Sequence, residues 1–164
     1  IFEYYGRVDG VLYHDDWGTQ RSGFFSNQMF REQIMPATSR FLRYLKEQGK
    51  FIELHSCGKN IQYVPEMLEM GIDMWTPQDL INEPDFLYEN YGDQMTFCFM
   101  VHVDPAADEA AVRSQIRDFV DHYGAKGRCM PMITTDRSNP LQDEWARDEL
   151  YHYSLEYYNK LYNR

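Results

Sequence analysis

A histidine and a cysteine two residues apart, His55 and Cys57, are the first residues of this sequence whose types and spacing indicate chemistry. They follow a short apolar run that begins at Phe51, and Gly58 comes directly after them. Side chains two residues apart on a β-strand point to the same side, so a strand that continues to Cys57 would face the imidazole and the thiol in one direction. Imidazole nitrogen and thiolate sulfur are zinc ligands, and the pair is therefore a candidate for half of a zinc site. Alternatively, His55 is a hydrogen-bonded pocket residue and Cys57 a small buried hydrophobic residue.

Other polar side chains follow the ends of predicted strands. Asp15 and Asp16 follow the first strand, and because neighbours alternate in direction only one of them faces a pocket readily. The carboxylate of the aspartate that faces the pocket would bind a ligand or act as an acid or base. The alternative is that the aspartate stabilises the loop turn or caps a helix. Gln20 and Gln78 are candidates to hydrogen-bond a substrate or cofactor amide, with ordinary loop polarity as the alternative. His102 ends the fourth strand and is either a pocket residue or a solvated loop histidine.

Three further residues at strand ends have less specific interpretations. His14 ends the first predicted strand and is a pocket or capping residue. Asp136 and Arg137 follow the last predicted strand, where they would contact an anion or a partner, or lie in a solvated loop.

Composition limits the classes of partner. The chain has 164 residues, a formal net charge of -10 and a pI of about 4.9, and no Lys/Arg run appears in it, which argues against a nucleic-acid partner. Cys57, Cys98 and Cys129 are too few and too scattered for a disulfide framework, so a reduced, cytoplasmic setting is expected. No apolar run approaches the ~20 residues of a membrane span, and no membrane association is predicted.

Hydrophobic periodicity predicts strands and helices in alternation. Ser26 is a predicted helix N-cap, Gly49 a helix end and Asn60 the cap of the following helix, while Pro36 is expected to kink or split its helix. Strands are predicted at 8–14, 51–54, 72–76, 95–101 and 129–133, and helices at 27–48, 61–70, 85–91, 108–123 and 144–162. Such alternation, five times over, predicts an α/β fold with a parallel sheet and right-handed crossovers.

Several of these segments, in this order and spacing, resemble the uroporphyrinogen decarboxylase superfamily, which also includes the corrinoid-dependent methyltransferases. They are Asp15–Gln20, the helix opened by Ser26 that runs through Arg31 and Pro36, His55–Gly58, Met70–Asp73, and Pro77 with Gln78. The resemblance implies a (β/α)₈ barrel, which needs about 250 residues, so five strands cannot close one. Residues 1–164 are therefore expected to be the C-terminal portion of a single barrel domain, about strands four to eight of a longer protein, which agrees with a first residue other than methionine. Its open sheet edges predict self-association, and the fragment alone is expected to be inactive.

The methyltransferase branch of the superfamily implies a zinc site. In that branch a His-x-Cys pair and a later cysteine bind zinc, and the zinc activates a thiol acceptor, or a related methyl acceptor, against methylcobalamin carried by a corrinoid partner protein. His55 and Cys57 match the first two ligands, and Cys129 is the candidate for the third, although it lies a few residues before the expected loop near Ile133. Asp16 and His55 are then the predicted catalytic residues, with Asp15, Gln20, Gln78 and His102 as substrate-binding residues.

The decarboxylase branch implies a different chemistry. It uses no metal or cofactor: arginines hold the carboxylates of a tetrapyrrole, and a carboxylate or an arginine assists proton transfer. A third hypothesis is a non-catalytic corrinoid- or tetrapyrrole-binding module. Methyl transfer involving a corrinoid protein is the leading prediction. The alternatives are decarboxylation of a tetrapyrrole as a small-molecule substrate and the non-catalytic binding module.

Overall fold

The structure is a computed structural model that describes residues 8–135 and 138–163. Asp136 and Arg137, for which an anion or partner contact was predicted, lie outside the described residues. Five strands form one sheet in sequence order: β1 (Gly10–His14), β2 (Phe51–Ser56), β3 (Met74–Pro77), β4 (Thr96–His102) and β5 (Cys129–Thr134). The register of β1 on β2, β2 on β3 and β3 on β4 is parallel. The predicted α/β class and parallel sheet are confirmed, and this is the strand order of part of a (β/α)₈ barrel.

Helices connect successive strands. They are α1 (Asn27–Met29), a π-helical turn (Phe30–Ile34) and α2 (Met35–Glu47) between β1 and β2; a 3₁₀ turn (Ile61–Tyr63) and α3 (Val64–Glu69) before β3; a 3₁₀ turn (Asp79–Ile81) and α4 (Pro84–Tyr91) before β4; α5 (Glu109–Tyr123) before β5; and α6 (Pro140–Tyr162) after it. Among the residues that the structure describes, no helix combines the length and the hydrophobicity that a membrane span requires.

The first helical segment begins and breaks where the sequence predicts. The Ser26 hydroxyl accepts a hydrogen bond from the N–H of Met29, which is an N-cap. Pro36 lies in the first turn of α2, and the turn before it is π-helical, with the N–H of Met35 donating to the carbonyl of Phe30. Proline has no N–H to donate and its ring crowds the preceding turn, so the regular α-helical hydrogen bonds are interrupted there.

The chain divides into two compact units, one up to Cys98 and one from Phe99 onward. The largest fully buried side chains of the first unit are mostly aromatic and come from its loops, helices and strands: Trp17, Phe30, Tyr63, Trp75 and Phe97. The second unit contains a cluster of buried aliphatic side chains: Val101, Val103, Val112, Ile116 and Ala146. Each unit therefore has apolar packing of its own, and the assignment of residues 1–164 to one domain stays a prediction.

A nearly buried carboxylate joins α5 to α6 in the second unit. Glu149, whose side chain is 8% exposed, accepts hydrogen bonds from Arg113 and Arg117. Burial by itself raises the pKa of Glu149, but the hydrogen bonds from Arg117 and Arg113 outweigh it and leave that pKa below its ordinary value. The charged form is therefore the one that the folded protein favours.

Replacing Glu149 by glutamine is expected to lower the free energy of unfolding at pH 7 by about 1–2 kcal/mol, because charge-assisted hydrogen bonds are lost. The loss is no larger because solvent partly screens Arg117. A carboxyl whose pKa is lowered by folding stabilises the protein above its unfolded pKa, and this contribution disappears as pH falls through the folded value. The difference between wild type and E149Q should therefore shrink below about pH 4.3. Urea denaturation at pH 7 and pH 3.5 measures it.

Glu156→Gln is the control for this prediction, because Glu156 pairs with Lys160 on the exposed face of the same helix. An exposed pair of this kind is screened by solvent and contributes little to stability, so Glu156→Gln is expected to be much less destabilising than Glu149→Gln. Equal destabilisation by the two substitutions would contradict the role assigned to Glu149.

Candidate functional site

Two neighbouring strands bring four potential metal ligands together. His14 is the last residue of β1, and the parallel register places it beside His55 of β2. Asp16 lies two residues after His14, and Cys57 lies two residues after His55. Within the described residues, one ligand atom from each of these four side chains lies within 4.8 Å of all the others. We call this set the strand-end cluster.

Direct contacts link the two halves of the strand-end cluster. The Sγ of Cys57 lies 3.4 Å from the Nε2 of His55, and the Oδ1 of Asp16 lies 3.2 Å from the Nε2 of His14. The backbone N–H of Cys57 donates to the same Asp16 oxygen at 2.8 Å, and the two imidazole rings meet edge to face at 4.7 Å. Asp16 therefore contacts a residue of each strand end.

The orientation of His55 is set by the next strand. Its Nδ1 lies 3.0 Å from the backbone carbonyl oxygen of Thr76 in β3. Because a carbonyl only accepts, Nδ1 carries the proton and Nε2 presents its lone pair to the Cys57 thiol. A histidine held by one nitrogen with the other directed at a possible ion is the arrangement found around bound metals.

Electrostatics in the strand-end cluster favour a protonated thiol beside an ionised carboxylate. The pKa of Asp16 lies below its ordinary value, mainly because the backbone N–H of Cys57 donates to it. Burial, followed by the neighbouring Asp16 carboxylate, raises the pKa of the Cys57 thiol. A cation bound next to Cys57 would reverse that effect, because a coordinating thiol is deprotonated.

The turn after Cys57 is held by a buried amide. The Nδ2 group of Asn60 donates to the carbonyl of Cys57 at 2.7 Å and to the hydroxyl of Ser56 at 2.9 Å. The prediction that the Asn60 side chain caps the following helix was wrong, since its amide turns back to the cluster and makes no capping hydrogen bond.

A second buried amide, Asn82 from the loop after β3, supplies the cap instead. Its Oδ1 accepts from the N–H groups of Asn60 and Ile61, at 2.7 and 3.0 Å, and its Nδ2 donates to the carbonyl of Gly58 at 2.9 Å. Asn60 and Asn82 are both fully buried. The turn that positions Cys57 is therefore fastened to the end of the neighbouring strand.

The structure places the two predicted glutamines side by side next to this turn. Gln20 and Gln78 exchange two hydrogen bonds between their side-chain amides, at 2.8 and 3.1 Å, and the Oε1 of Gln78 also accepts from the N–H of Gly58. The pair is solvent-exposed, so its remaining donors and acceptors face the surface beside the strand-end cluster.

Asp15 has a contact set different from that of its neighbour. Its Oδ2 accepts from the hydroxyl of Tyr13 and from the indole N–H of Trp17, both at 2.9 Å. Burial and this carboxylate raise the pKa of Tyr13 to about 12. Since Trp17 is buried, Asp15 fastens the loop to the core, while Asp16 contacts His14 and Cys57.

Two predicted site residues belong to the second unit and are not in the strand-end cluster. His102 ends β4, beside Asp104, Thr134 and Thr135. Cys129 is the first residue of β5 and lies at the amino end of that strand, near side chains of α5 and α6. The cluster of ligand groups found among the described residues does not include Cys129, and its role as third ligand stays a prediction.

His14 is the cluster member that the predicted site did not include, and Asp16 was predicted as a catalytic carboxylate rather than as a metal ligand. A signal for it is present, because His14 and Asp16 repeat the spacing of His55 and Cys57 at the end of another strand. The repeat indicates a shared site only once the two strands are known to be neighbours with His14 beside His55.

Comparison with known proteins places the chain in a family. The family model for uroporphyrinogen decarboxylase (URO-D) matches residues 7–126. The chain belongs to the uroporphyrinogen decarboxylase family. That match covers β1 through α5, including the strand-end cluster, and it confirms the resemblance found in the sequence.

Solved structures give the fold of this family member. A methyltransferase from Methanosarcina mazei is similar to it with a TM-score of 0.61 and 15% sequence identity, over 92% of this chain and 43% of that chain. The chain therefore spans less than half the length of that methyltransferase, and at this identity the likeness shows the fold alone. No curated protein matches the chain.

Proposed function

We propose that this chain is part of an enzyme of the uroporphyrinogen decarboxylase family that transfers a methyl group with a corrinoid-carrying partner protein, and that it binds zinc at the strand-end cluster. The observation that carries the proposal is the pairing of the Cys57 Sγ with the His55 Nε2 at 3.4 Å, with the other His55 nitrogen fixed by the Thr76 carbonyl. The fold it shares with a methyltransferase supports the same reading.

The donor groups of the strand-end cluster fit zinc. Nitrogen and sulfur donors from His55 and Cys57 are typical of zinc sites, and the ionised Asp16 supplies a further anionic donor. Bound there, zinc would lower the pKa of a thiol methyl acceptor and so allow it to be present as a thiolate at neutral pH.

The protein's own side chains would position the reactants. The Thr76 carbonyl holds the His55 ring, and Asn60 and Asn82 hold the turn that carries Cys57. The exposed amides of Gln20 and Gln78 offer both donors and acceptors next to this turn, which suits a substrate with an amide or carboxylate group. Orientation of this kind is what a transfer between two bound reactants requires.

Decarboxylation of a tetrapyrrole is the second candidate, and the family model itself favours it. The two functions differ in their need for metal and in their products. A decarboxylase would convert uroporphyrinogen to coproporphyrinogen without zinc, whereas a methyltransferase would demethylate methylcobalamin in the presence of a thiol.

The deciding experiment uses the full-length enzyme of which this chain is proposed to be a part. It measures zinc content by atomic emission and both reactions on the same preparation, with free methylcobalamin plus 2-mercaptoethanol in one assay and uroporphyrinogen in the other. We expect about one zinc ion per chain and demethylation that stops when the zinc is removed by a chelator. Metal-free protein that forms coproporphyrinogen would establish the second candidate. Zinc-free protein that binds methylcobalamin without turnover would establish a binding module.

A further inference from the structure

We infer that β1 and β2 supply a complete metal site, in which His14 and Asp16 take the place of a third cysteine. The inference deepens the proposed function and rests on its metal ion. The ligand set differs from a His-x-Cys pair with a later cysteine, because its two further ligands come from β1. No residue of β5 takes part.

The register of the two strands is the first argument. His14 and His55 are direct partners on adjacent parallel strands, and each is followed two residues later by a group that can bind a metal, Asp16 and Cys57. Parallel strands in register place equivalent positions at the same height, so the two arms present four ligand groups at one strand end. Two ligands from each of the two strand ends make four, the number that a zinc ion takes, and one of the exposed ligands, His14 or Asp16, would leave the metal when a thiol acceptor binds.

The contacts within the cluster are the second argument. Zinc bonds of about 2.0–2.3 Å in a tetrahedral site hold neighbouring ligand atoms about 3.3–3.8 Å apart. The His55 Nε2 to Cys57 Sγ separation is 3.4 Å, and the His14 Nε2 to Asp16 Oδ1 separation is 3.2 Å. All four ligand atoms already lie within 4.8 Å of one another, so contraction by about 1 Å around an ion suffices.

The pair from β1, His14 and Asp16, is the outer arm of the site, and its exposure means that the contraction costs little free energy. The side chains of His14 and Asp16 are 58% and 50% exposed, so both rotate without disturbing the core. The inner arm is positioned by its contacts to Thr76 and Asn60. An adjustable pair facing a rigid pair can close on an ion that enters from solvent.

The charge of the set is the third argument. Two neutral imidazoles, one carboxylate and one thiolate carry a total charge of about -2, which balances a divalent cation. The backbone N–H of Cys57 binds the Asp16 carboxylate from behind at 2.8 Å, and outer hydrogen bonds of this kind orient a metal-binding carboxylate.

The test compares zinc affinity across single variants, measured by competition with a chromophoric chelator. Asp16→Asn and His14→Gln are expected to weaken zinc binding by more than about 10-fold, because each removes one of the four ligands. Asp15→Asn and His152→Gln are the matched controls: Asp15 is the adjacent carboxylate with other partners, and His152 is an exposed histidine of α6. Both controls, and Cys129→Ser, are expected to stay within about 3-fold of wild type.

A cobalt-loaded sample gives a readout that a merely structural role would not change. The thiolate-to-cobalt charge-transfer band should remain in D16N and H14Q, because Cys57 is still present, while the ligand-field bands change with the coordination sphere. Circular dichroism shows that each variant is folded, and the two positions serve as independent tests.

The outcomes separate this inference from the proposed function. Loss of zinc in Cys57→Ser with unchanged affinity in D16N and H14Q would overturn the inference and leave the metal of the proposed function in place. Loss of zinc in Cys129→Ser would show that β5 supplies the third ligand and would also overturn it. A wild-type protein that binds no zinc would overturn both.

Discussion

Replacing Cys57 by serine is expected to remove bound zinc and to lower the rate of methyl transfer by more than about 100-fold, while the protein stays folded. Loss of a group that only orients a ligand costs about 10–100-fold, and Cys57 is the one thiol of the strand-end cluster. Serine retains the backbone N–H that binds Asp16 and is nearly the size of cysteine, so the turn is preserved. Zinc content and the methylcobalamin assay measure the two effects on one preparation of the full-length enzyme.

Cys129→Ser is the control for this prediction, because Cys129 is a half-buried thiol in the second unit. It is expected to retain both zinc and activity. A Cys57→Ser protein with full zinc content would contradict the placement of the metal, and one with full activity would contradict the proposed reaction.

Replacing Gly58 by alanine is expected to lower the free energy of unfolding by more than about 3 kcal/mol, because strain in the left-handed region adds to an overlap that cannot relax. Gly58 has φ +90°, and an added Cβ would overlap the backbone carbonyl of Gly18. Backbone, unlike the end of a flexible side chain, cannot rotate away. Urea denaturation measures the loss, and zinc affinity should fall with it because the turn positions Cys57.

Gly49→Ala is the control that separates the destabilisation caused by steric overlap from the destabilisation caused by a left-handed backbone conformation. Gly49 also has a left-handed φ of +69°, but nothing lies within 4 Å of an added Cβ. It is therefore expected to lose only about 1–2 kcal/mol. Equal losses at Gly49 and Gly58 would show that the close approach to Gly18 contributes nothing.

Local sequence signals were enough to predict the elements of this chain. Ser26 caps the first helical segment as predicted, Gly49 ends α2 with a positive φ, and the π-helical turn precedes Pro36. These features depend on interactions within a few residues, so a single stretch of sequence contains the information they need. Strand ends were predicted to within a few residues, with β3 the most displaced, running over Met74–Pro77.

The family was also accessible from sequence, because it is carried by short segments around strand ends. The segments near Asp16 and His55 lie in the region that the family model matches. The predicted cytoplasmic setting, the absence of a nucleic-acid partner and self-association through open sheet edges stay predictions. The corrinoid partner, the bound zinc and the methyl-transfer activity are parts of the proposed function.

Side-chain partners between elements were decided only by the tertiary structure. Asn60 has the residue type and position of a helix cap, yet Asn82, 22 residues later, supplies the cap because the loop after β3 reaches the same turn. Asp15 and Asp16 are chemically identical neighbours, and the burial of Trp17 on one side and the backbone N–H of Cys57 on the other give them different partners.

The sequence by itself determined the strand–helix order, the parallel α/β class, the family, and His55 with Cys57 as the chemical pair. Only the tertiary structure showed which ligand groups lie beside them: His14 and Asp16 come from the neighbouring strand end, while Cys129 is the first residue of its own strand. The physical reason is that periodicity specifies which way a side chain points from its own strand. Which strands are neighbours, and in what register, depends on packing between segments about 40 residues apart.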